Sequence, residues 1–280
     1  IVVVGAGAAA FRFIQNYREI NTQDEIVVFS NEKNPFYNRV LLPEYVTAEL
    51  SWEQLLKIKE EALAKLNITL QSEVAINQIS TDEKKITDSN GDIHHYDTLI
   101  LATGSRPFVP ENAQLHLPAR FTIRKKDDAD RLRNYLEQTQ LPPEEQHVVI
   151  VGGGLLGLEL AAALKHKKVK ITIIQRASRL MERQLDRISS KLLAEEVQQR
   201  DIQIYFDNEV STVFSTNRAH ELEIALKSGR TLTANAIVYT IGTIPNIEVA
   251  KEAGLTCARG VKVNQYLQSS NPSIFAIGEI

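Results

Sequence analysis

One supersecondary pattern occurs twice in this chain of 280 residues: a β-branched run, a glycine-rich turn, an apolar helix and a second β-rich run. In the first copy these parts are residues 1–4, 5–10, 11–20 and 25–29. In the second copy they are residues 148–151, 152–157, 158–166 and 169–174. A strand, a helix and a parallel strand in this order make a βαβ unit. Two such units place the chain in the α/β class.

The two glycine turns predict phosphate binding. In the pattern Gly-x-Gly-x-x-Gly/Ala, the first glycine allows a tight turn, the second lets the backbone approach a pyrophosphate, and the third permits close packing of helix on strand. These positions are Gly5, Gly7 and Ala10 in the first copy, and Gly152, Gly154 and Gly157 in the second. A purely structural turn is the alternative for one copy alone. Two copies in the same context indicate two dinucleotide sites.

The copies differ at the acidic residue that is expected about 20 residues after the turn, where it would bind ribose hydroxyls. After the first turn the nearby carboxylate is Glu32, two residues past the usual position, and a solvated loop charge is its alternative interpretation. The second strand is followed by Gln175 and Arg176, without a carboxylate. Gln175 would not repel a 2′-phosphate, and Arg176 with Arg179 could pair with it. The sequence therefore favours NADPH over NADH, unless both arginines are ordinary surface residues.

The rest of the chain suggests two domains, one inserted into the other. A helix is predicted over 52–66, and strands over 68–79 and 84–98 with a turn at 90–92. The buried strand that ends at Thr103 and Gly104 resembles a later one that ends at Gly242. We predict a first domain over 1–118 and 245–280, still lacking its last helix at Ile280, and a second domain over 119–244.

Composition excludes several classes of function. The net charge of −3 and the 24% of charged residues do not favour nucleic acid or another polyanion as partner. The chain has no apolar run of about 20 residues, so we expect no membrane span and a cytoplasmic location. Cys257 is the single cysteine, which excludes an intrachain disulfide, and we expect it to be a small buried residue. The six histidines lack metal-ligand spacing, so no metal site is predicted.

Over its whole length the chain resembles the pyridine nucleotide-disulfide oxidoreductase superfamily, through the two glycine turns and the segments 101–107 and 275–279. Within the superfamily it is most similar to the flavin portion of NAD(P)H-dependent nitrite reductase large subunits. That similarity rests on residues 35–42, 153–159 and 180–186, of which the last segment is the most discriminating. The resemblance implies two Rossmann-like domains of three-layer β/β/α type, with FAD in the first domain and NADPH or NADH in the inserted one.

The resemblance also implies site residues. Arg39 would lie beside the flavin and its pyrophosphate, and Thr103 with Gly104 would end a strand that faces the flavin. Gly278 and Glu279 would meet the ribityl chain and the pyrophosphate. In the other domain, Glu159 would lie near the nicotinamide, and Gly242 would line the approach to it. The same motifs add Ala8, Arg106, Leu155 and Leu156 to the predicted cofactor-binding set. The alternatives are a loop arginine for Arg39, an exposed helix charge for Glu159 and a strand terminator for Gly242.

One departure from the superfamily decides the expected chemistry. Disulfide reductases carry a Cys-x4-Cys pair where this chain has residues 41–45, Leu-Leu-Pro-Glu-Tyr, so no thiol can relay electrons within these 280 residues. Hydride transfer from the nicotinamide C4 to the flavin N5 needs positioning rather than a general acid or base, and we assign no catalytic residue. The flavin would therefore pass its electrons to an external centre.

Three functions are consistent with this sequence. The first is the electron-entry module of a nitrite reductase-like enzyme, serving an iron-sulfur or sirohaem centre. The second is a free-standing reductase for a carrier such as rubredoxin or ferredoxin, although that branch usually has serine and lysine where Pro43 and Glu44 stand here. The third is a module that senses NAD(P) and catalyses nothing. A homodimer is one possible assembly.

Overall fold

The computed structural model describes residues 1–280, except for the side chains of residues 60 and 61. The helices are α1 (Ala8–Ile20), α2 (Leu42–Val46), α3 (Trp52–Leu55), α4 (Glu60–Leu63), α5 (Lys126–Gln138), α6 (Leu155–His166), α7 (Arg187–Gln199) and α8 (Glu248–Glu252). The first nine strands are β1 (Val2–Val4), β2 (Val27–Ser30), β3 (Thr69–Ser72), β4 (Ile76–Ser80), β5 (Lys85–Asp88), β6 (Ile93–His95), β7 (Leu99–Leu101), β8 (Ser105–Pro107) and β9 (Arg120–Thr122). The other nine are β10 (His147–Val151), β11 (Lys170–Ile174), β12 (Gln203–Tyr205), β13 (Val210–Ser215), β14 (Leu222–Leu226), β15 (Thr231–Ala234), β16 (Ala236–Tyr239), β17 (Thr243–Pro245) and β18 (Ile274–Ala276).

The chain divides into two compact units. Unit 1 comprises residues 1–38, 56–106 and 243–280, and unit 2 comprises residues 39–55 and 107–242. Each unit contains a five-stranded parallel sheet, with strand order β18-β7-β1-β2-β3 in unit 1 and β12-β11-β10-β16-β9 in unit 2. Each unit also has a three-stranded antiparallel sheet, β4-β5-β6 or β13-β14-β15.

The side chains of β1 show why unit 1 has three layers. Successive residues of a strand point to opposite faces of the sheet. Val3 packs with residues of α1, such as Phe11 and Ile14. Val2 and Val4 pack on the opposite face with residues of the antiparallel sheet, including Ile86. The parallel sheet is therefore covered on both faces, by a helix on one and by the second sheet on the other.

Unit 2 repeats this layering. Val149 and Val151 of β10 pack against the antiparallel sheet through Val213 and Ile224. The neighbouring residue Ile150 is fully buried, and α6 packs on β10 and β11. The predicted class, α/β with two Rossmann-like folds of β/β/α type, is confirmed.

The predicted helix over 52–66 is wrong as one continuous element. The chain leaves the helical conformation after α3, because Leu56 forms a β-bridge with Tyr37 and the N–H of Lys57 donates to the carbonyl of Phe36 at 2.8 Å. Helix α4 begins at residue 60. The tertiary pairing with residues 36 and 37 thus overrides a local helical pattern.

The predicted strand over 68–79 is likewise two strands in two different sheets. Strand β3 joins the parallel sheet beside β2, and β4 joins the antiparallel sheet. Glu73, between them, has a φ of +62°, which ends the extended conformation. The predicted turn near residue 91 is present, where the N–H of Gly91 donates to the carbonyl of Asp88 at 3.2 Å.

The unit boundaries differ from the predicted domain boundaries at two places. Residues 107–118 cluster with unit 2, where the Asn112 amide donates to the carbonyls of Val210 and Ser211 at 3.0 Å each. Residues 39–55 also cluster with unit 2. Tyr45 donates to Asp130 at 2.7 Å there, which attaches α2 to α5.

Candidate dinucleotide-binding sites

The first glycine turn follows β1 and requires glycine at its start. Gly5 has a φ of +107°, and a Cβ on it would lie 2.2 Å from the carbonyl oxygen of Ala102. Its N–H donates to the carbonyl of Phe29 at 2.8 Å, so the turn is anchored to the end of β2. A side chain at this position is excluded by both backbone conformation and space.

Gly7 leaves an open space at the start of α1. It is the N-cap of this helix of 13 residues, and a Cβ on it would meet nothing within 4 Å. The first helical hydrogen bond runs from the N–H of Phe11 to the carbonyl of Gly7. The N–H groups of the first turn therefore have no helical acceptor, and they carry the positive end of the helix dipole. Ala10, at the third position of the motif, is fully buried against the sheet.

The last residues of the chain lie against this helix start. Gly278 follows β18 with a φ of +82°, and a Cβ on it would lie 2.8 Å from the Cβ of Ala9. The carboxylate of Glu279 accepts a hydrogen bond from the hydroxyl of Thr243 at 2.8 Å. Gly278 and the glycine turn, which are far apart in sequence, therefore flank the same helix N-terminus, next to Ala8.

Three other predicted residues of unit 1 meet at Asn246. The hydroxyl of Thr103 donates to the Asn246 carbonyl at 2.8 Å, and the carbonyl of Gly104 accepts from the Asn246 N–H at 2.9 Å. The guanidinium of Arg106 donates to the Asn246 Oδ1 at 3.0 Å and pairs with Glu248 at 2.7 Å. These contacts hold the returning chain against the end of β7.

Glu32, the predicted ribose-binding carboxylate, has a partner of its own. Its Oε2 accepts a hydrogen bond from the Tyr37 hydroxyl at 2.8 Å. Its N–H is held by the Ser30 hydroxyl at 3.1 Å, just past β2. The carboxylate is thus fixed at the carboxyl end of the strand where the Rossmann pattern places a ribose-binding acid.

The second glycine turn repeats the construction of the first. Gly152 has a φ of +114°, and a Cβ on it would lie 2.7 Å from the carbonyl oxygen of Thr240, at the end of β16. Gly154 is the N-cap of α6, a helix of 12 residues, and a Cβ on it would meet nothing within 4 Å. A Cβ on Gly157 would lie 2.1 Å from the carbonyl oxygen of Gly152. Leu155 is exposed and Leu156 half-buried at the start of this helix.

The end of β11 differs from the sequence-based expectation. The side chain of Gln175 is buried, and its Oε1 accepts a hydrogen bond from the N–H of Gly153 at 2.8 Å. Its Nε2 donates to the Arg179 carbonyl at 3.1 Å and to the carboxylate of Glu182. The assumption that no carboxylate lies at this strand end is therefore wrong, because a loop brings Glu182 back from seven residues further along. Arg176 is exposed.

Glu159, on α6, is a half-buried carboxylate with a perturbed pKa. Burial raises the pKa of Glu159, and the nearby Glu44 carboxylate on α2 raises it further. Oε2 of Glu44 is buried and has no hydrogen-bond partner among the described residues. The other two predicted residues of unit 2 make backbone contacts: the Arg39 guanidinium donates to the Arg124 carbonyl at 3.0 Å, and the Gly242 carbonyl accepts from the Phe108 N–H at 2.9 Å.

Other kinds of site are not found in the part of the chain that the structure describes. No described helix combines the length and apolarity needed to cross a bilayer. No three histidine, cysteine, aspartate or glutamate side chains, among those described, are arranged to hold a metal ion. Cys257 is half-buried in unit 1, and burial raises the pKa of its thiol.

The fold and the paired glycine turns define a protein with two Rossmann-like nucleotide-binding folds. Comparison with known proteins narrows this class. The family described as pyridine nucleotide-disulphide oxidoreductase matches residues 1–280, and the chain belongs to it. The predicted superfamily is therefore confirmed, and the predicted cofactors, FAD together with NADPH or NADH, agree with it.

Individual relatives add detail. The chain is 31% identical to the assimilatory nitrate reductase electron transfer subunit of Bacillus subtilis (strain 168), over 100% of this chain and 35% of that protein. It is 29% identical to the nitrite reductase [NAD(P)H] of the same organism, over 100% of this chain and 34% of that protein. The chain thus spans about a third of the length of these curated relatives.

A solved structure is similar over nearly the whole chain. The covalent putidaredoxin reductase–putidaredoxin complex matches with a TM-score of 0.92 and 26% identity, over 99% of this chain and 66% of that chain. That neighbour is a reductase joined to its redox partner.

Proposed function

We propose that the chain is the NAD(P)H-oxidising flavoprotein part of an electron-transfer enzyme. Unit 1 binds FAD, unit 2 binds NAD(P)H, and the electrons leave for a separate redox centre, as in the large subunit of a nitrite reductase. The observation that carries the proposal is the identical construction of the two glycine turns. In each, one glycine at positive φ faces a strand-end carbonyl, and a second glycine leaves an open space at a helix start.

Both turns fit the pyrophosphate of a dinucleotide. The open space at Gly7 and at Gly154 allows phosphate oxygens to approach the backbone, and the N–H groups of the following helix turn would donate to them. Bound FAD supplies two-electron acceptance from a nicotinamide and release of these electrons to another centre. The protein itself needs to bind and orient the two cofactors and to exclude water.

The other predicted residues have supporting parts in this proposal. Glu32, held by Tyr37, is the candidate acceptor for the ribose hydroxyls of FAD. Gly278, packed on Ala9, would bring its backbone close to the flavin pyrophosphate. Glu159 is the candidate to lie near the nicotinamide, where its raised pKa keeps a proton available at higher pH than usual. Arg39, Arg106 and Glu279 remain predicted flavin contacts.

The electron acceptor is inferred from the relatives of this chain. Similarity to the nitrate and nitrite reductase proteins of Bacillus subtilis supports an acceptor that belongs to such a reductase, for which the sequence resemblance implies an iron-sulfur or sirohaem centre. Similarity to the putidaredoxin reductase complex supports a free carrier protein equally well, which is the second candidate function. With Cys257 as the single cysteine of these 280 residues, neither version routes electrons through an intrachain disulfide.

The test is an anaerobic spectroscopic titration of the full-length protein reconstituted with FAD. We expect a bound flavin spectrum that bleaches on addition of NADH or NADPH, and reoxidation when an artificial one-electron dye is added. A protein that binds NAD(P)H but no flavin would support a sensing module instead. A bound flavin that neither nucleotide bleaches would contradict the proposal outright.

Measurements on the same protein preparation distinguish between the two candidate electron acceptors. Reduction of added rubredoxin or ferredoxin at rates similar to dye reduction would favour the free-standing reductase. Iron or sirohaem in the purified full-length protein, reduced by NAD(P)H together with the flavin, would favour the nitrite reductase-like enzyme.

A further inference from the structure

The nucleotide-reading end of β11 is occupied by an internal hydrogen-bond network. Both N–H donors of the Gln175 carboxamide are used, by the Arg179 carbonyl and the Glu182 carboxylate, and its oxygen accepts from the N–H of Gly153. The side chain is also buried. Gln175 therefore positions the glycine turn, and it has no remaining donor for a ribose hydroxyl or a 2′-phosphate.

The backbone holds Glu182 at this place. The N–H of Met181 donates to the carbonyl of Gly153 at 3.0 Å, and the fully buried Leu180 packs against the same glycine. The hydroxyl of Ser190, on α7, donates to the Leu180 carbonyl at 2.8 Å. The loop of residues 180–182 is thus attached to the glycine turn on one side and to α7 on the other. The Glu182 carboxylate is thereby held in a hydrogen bond with Gln175, the residue that follows β11.

One oxygen of this carboxylate is available. Oε2 of Glu182 accepts from Gln175, and Oε1 has no hydrogen-bond partner among the described residues. A carboxylate at the end of this strand accepts hydrogen bonds from ribose hydroxyls, whereas it repels a dianionic 2′-phosphate. The side chain that performs this discrimination in other Rossmann folds stands at the strand end itself, and here a residue seven positions later takes that place.

The nearby arginines do not leave a net positive site. Arg176 is close enough to Glu209 to lower the pKa of that carboxyl, although Lys227, paired with Glu209 at 2.7 Å, is the larger cause. Arg179 donates to the Glu182 carbonyl at 2.9 Å. It also helps to lower the pKa of Asp186, after the hydrogen bonds of that carboxylate with Ser189. Each arginine therefore already has a carboxylate near it, and Glu182 adds a further negative charge.

We propose that Glu182 makes the second site selective for NADH over NADPH, by accepting the ribose 2′-hydroxyl on Oε1 and repelling a 2′-phosphate. This inference rests on the proposed function of unit 2 and reverses the preference that the linear sequence favoured. Gln175 acts as a positioning residue, which orients both the glycine turn and the Glu182 carboxylate.

The experiment measures dissociation constants of NAD⁺ and NADP⁺ by titration calorimetry on the full-length protein, for wild type and Glu182→Gln. Adenosine 2′,5′-bisphosphate serves as a probe of the 2′-phosphate alone. We expect wild type to bind NAD⁺ at least about tenfold more tightly than NADP⁺, and the substitution to reduce this ratio by about tenfold. Glu195→Gln, an exposed carboxylate on α7, is the matched control and should leave the ratio unchanged.

Gln175→Ala separates positioning from discrimination. It removes the acceptor of the Gly153 N–H, so we expect both nucleotides to bind more weakly than to wild type, unlike in Glu182→Gln. Because it also removes the donor to the Glu182 carboxylate, we expect the preference for NAD⁺ to fall less than in Glu182→Gln. The inference is overturned if wild type binds NADP⁺ as tightly as NAD⁺, or if Glu182→Gln folds and keeps the wild-type ratio. If that variant does not fold, the ratio of the two dissociation constants in wild type and in Glu182→Asp, which has a shorter side chain, still tests the inference. If the protein binds neither nucleotide, that result would instead contradict the proposed function.

Discussion

Gly154→Ala is the substitution that best separates nucleotide binding from folding. Gly154 has a φ of −87°, which alanine adopts without strain, and its added Cβ would meet nothing within 4 Å. Alanine reduces the entropy of the unfolded chain, which stabilises the fold by about 0.4–1 kcal/mol. Alanine at the N-cap position stabilises a helix less than glycine does, by about 0.5–1 kcal/mol. The two effects offset each other, so we expect the free energy of unfolding to change by less than about 0.5 kcal/mol.

Binding should respond very differently. The new Cβ would occupy the open space through which the backbone approaches the pyrophosphate. We expect the dissociation constants for NAD⁺ and NADP⁺ to rise together by at least about tenfold, which corresponds to about 1.4 kcal/mol. Titration calorimetry measures these constants, and thermal unfolding followed by circular dichroism measures stability.

Gly157→Ala is the matched control in the same turn. Its Cβ would lie 2.1 Å from the backbone carbonyl oxygen of Gly152, which cannot rotate away. Overpacking of this kind costs about 1–3 kcal/mol, and the gain in helix propensity returns about 1 kcal/mol of that. We therefore expect a net loss of up to about 2 kcal/mol and a lower Tm. The reasoning is refuted if Gly154→Ala is folded and binds both nucleotides like wild type, or if it is destabilised as much as Gly157→Ala.

Two further predictions concern pH. The pKa of Asp88 is lowered, first by the hydrogen bond with His94 and then by backbone N–H groups. The stabilising effect of the Asp88 carboxylate is therefore present above its unfolded pKa of about 3.8 and is lost as pH falls through the lowered pKa. Asp88→Asn should lower the Tm near neutral pH, and its difference from wild type should vanish in strong acid; a constant difference at all pH values would contradict the assignment. The pKa of Glu159 is raised by burial and by Glu44, so the folded state holds this proton more tightly, and stability falls as pH rises from the ordinary pKa of 4.5 through the raised pKa. Glu159→Gln should raise the Tm above that pH window and not below it. An equal or lower Tm above the window would refute the burial argument.

Much of the fold could be predicted from local pattern alone. The sharp turn between a β-branched run and an apolar helix needs backbone conformations that glycine adopts readily, and the two copies of this pattern identified both parallel sheets and the helix that follows each turn. Both helices begin closer to the glycine turn than predicted: α1 begins at Ala8 rather than residue 11, and α6 begins at Leu155 rather than residue 158. Boundaries of this kind depend on capping, which the apolar periodicity does not record.

Contacts between segments far apart in sequence could not be predicted. The single helix expected over 52–66 is interrupted because residues 36 and 37 pair with residues 56 and 57. The attachment of residues 39–55 to unit 2 includes a hydrogen bond between Tyr45 and Asp130, which are 85 residues apart.

The sequence by itself determined the class of this protein, because glycine turns and strand periodicity act within a few residues and leave a local record. Only the tertiary structure decided which charges surround the second glycine turn. Glu182 lies seven residues past Gln175, in a loop whose path depends on the hydrogen bond from Met181 to Gly153 and on the burial of Leu180. The path of a loop is set by its tertiary contacts, and the sequence pattern of the loop does not record which residues make those contacts.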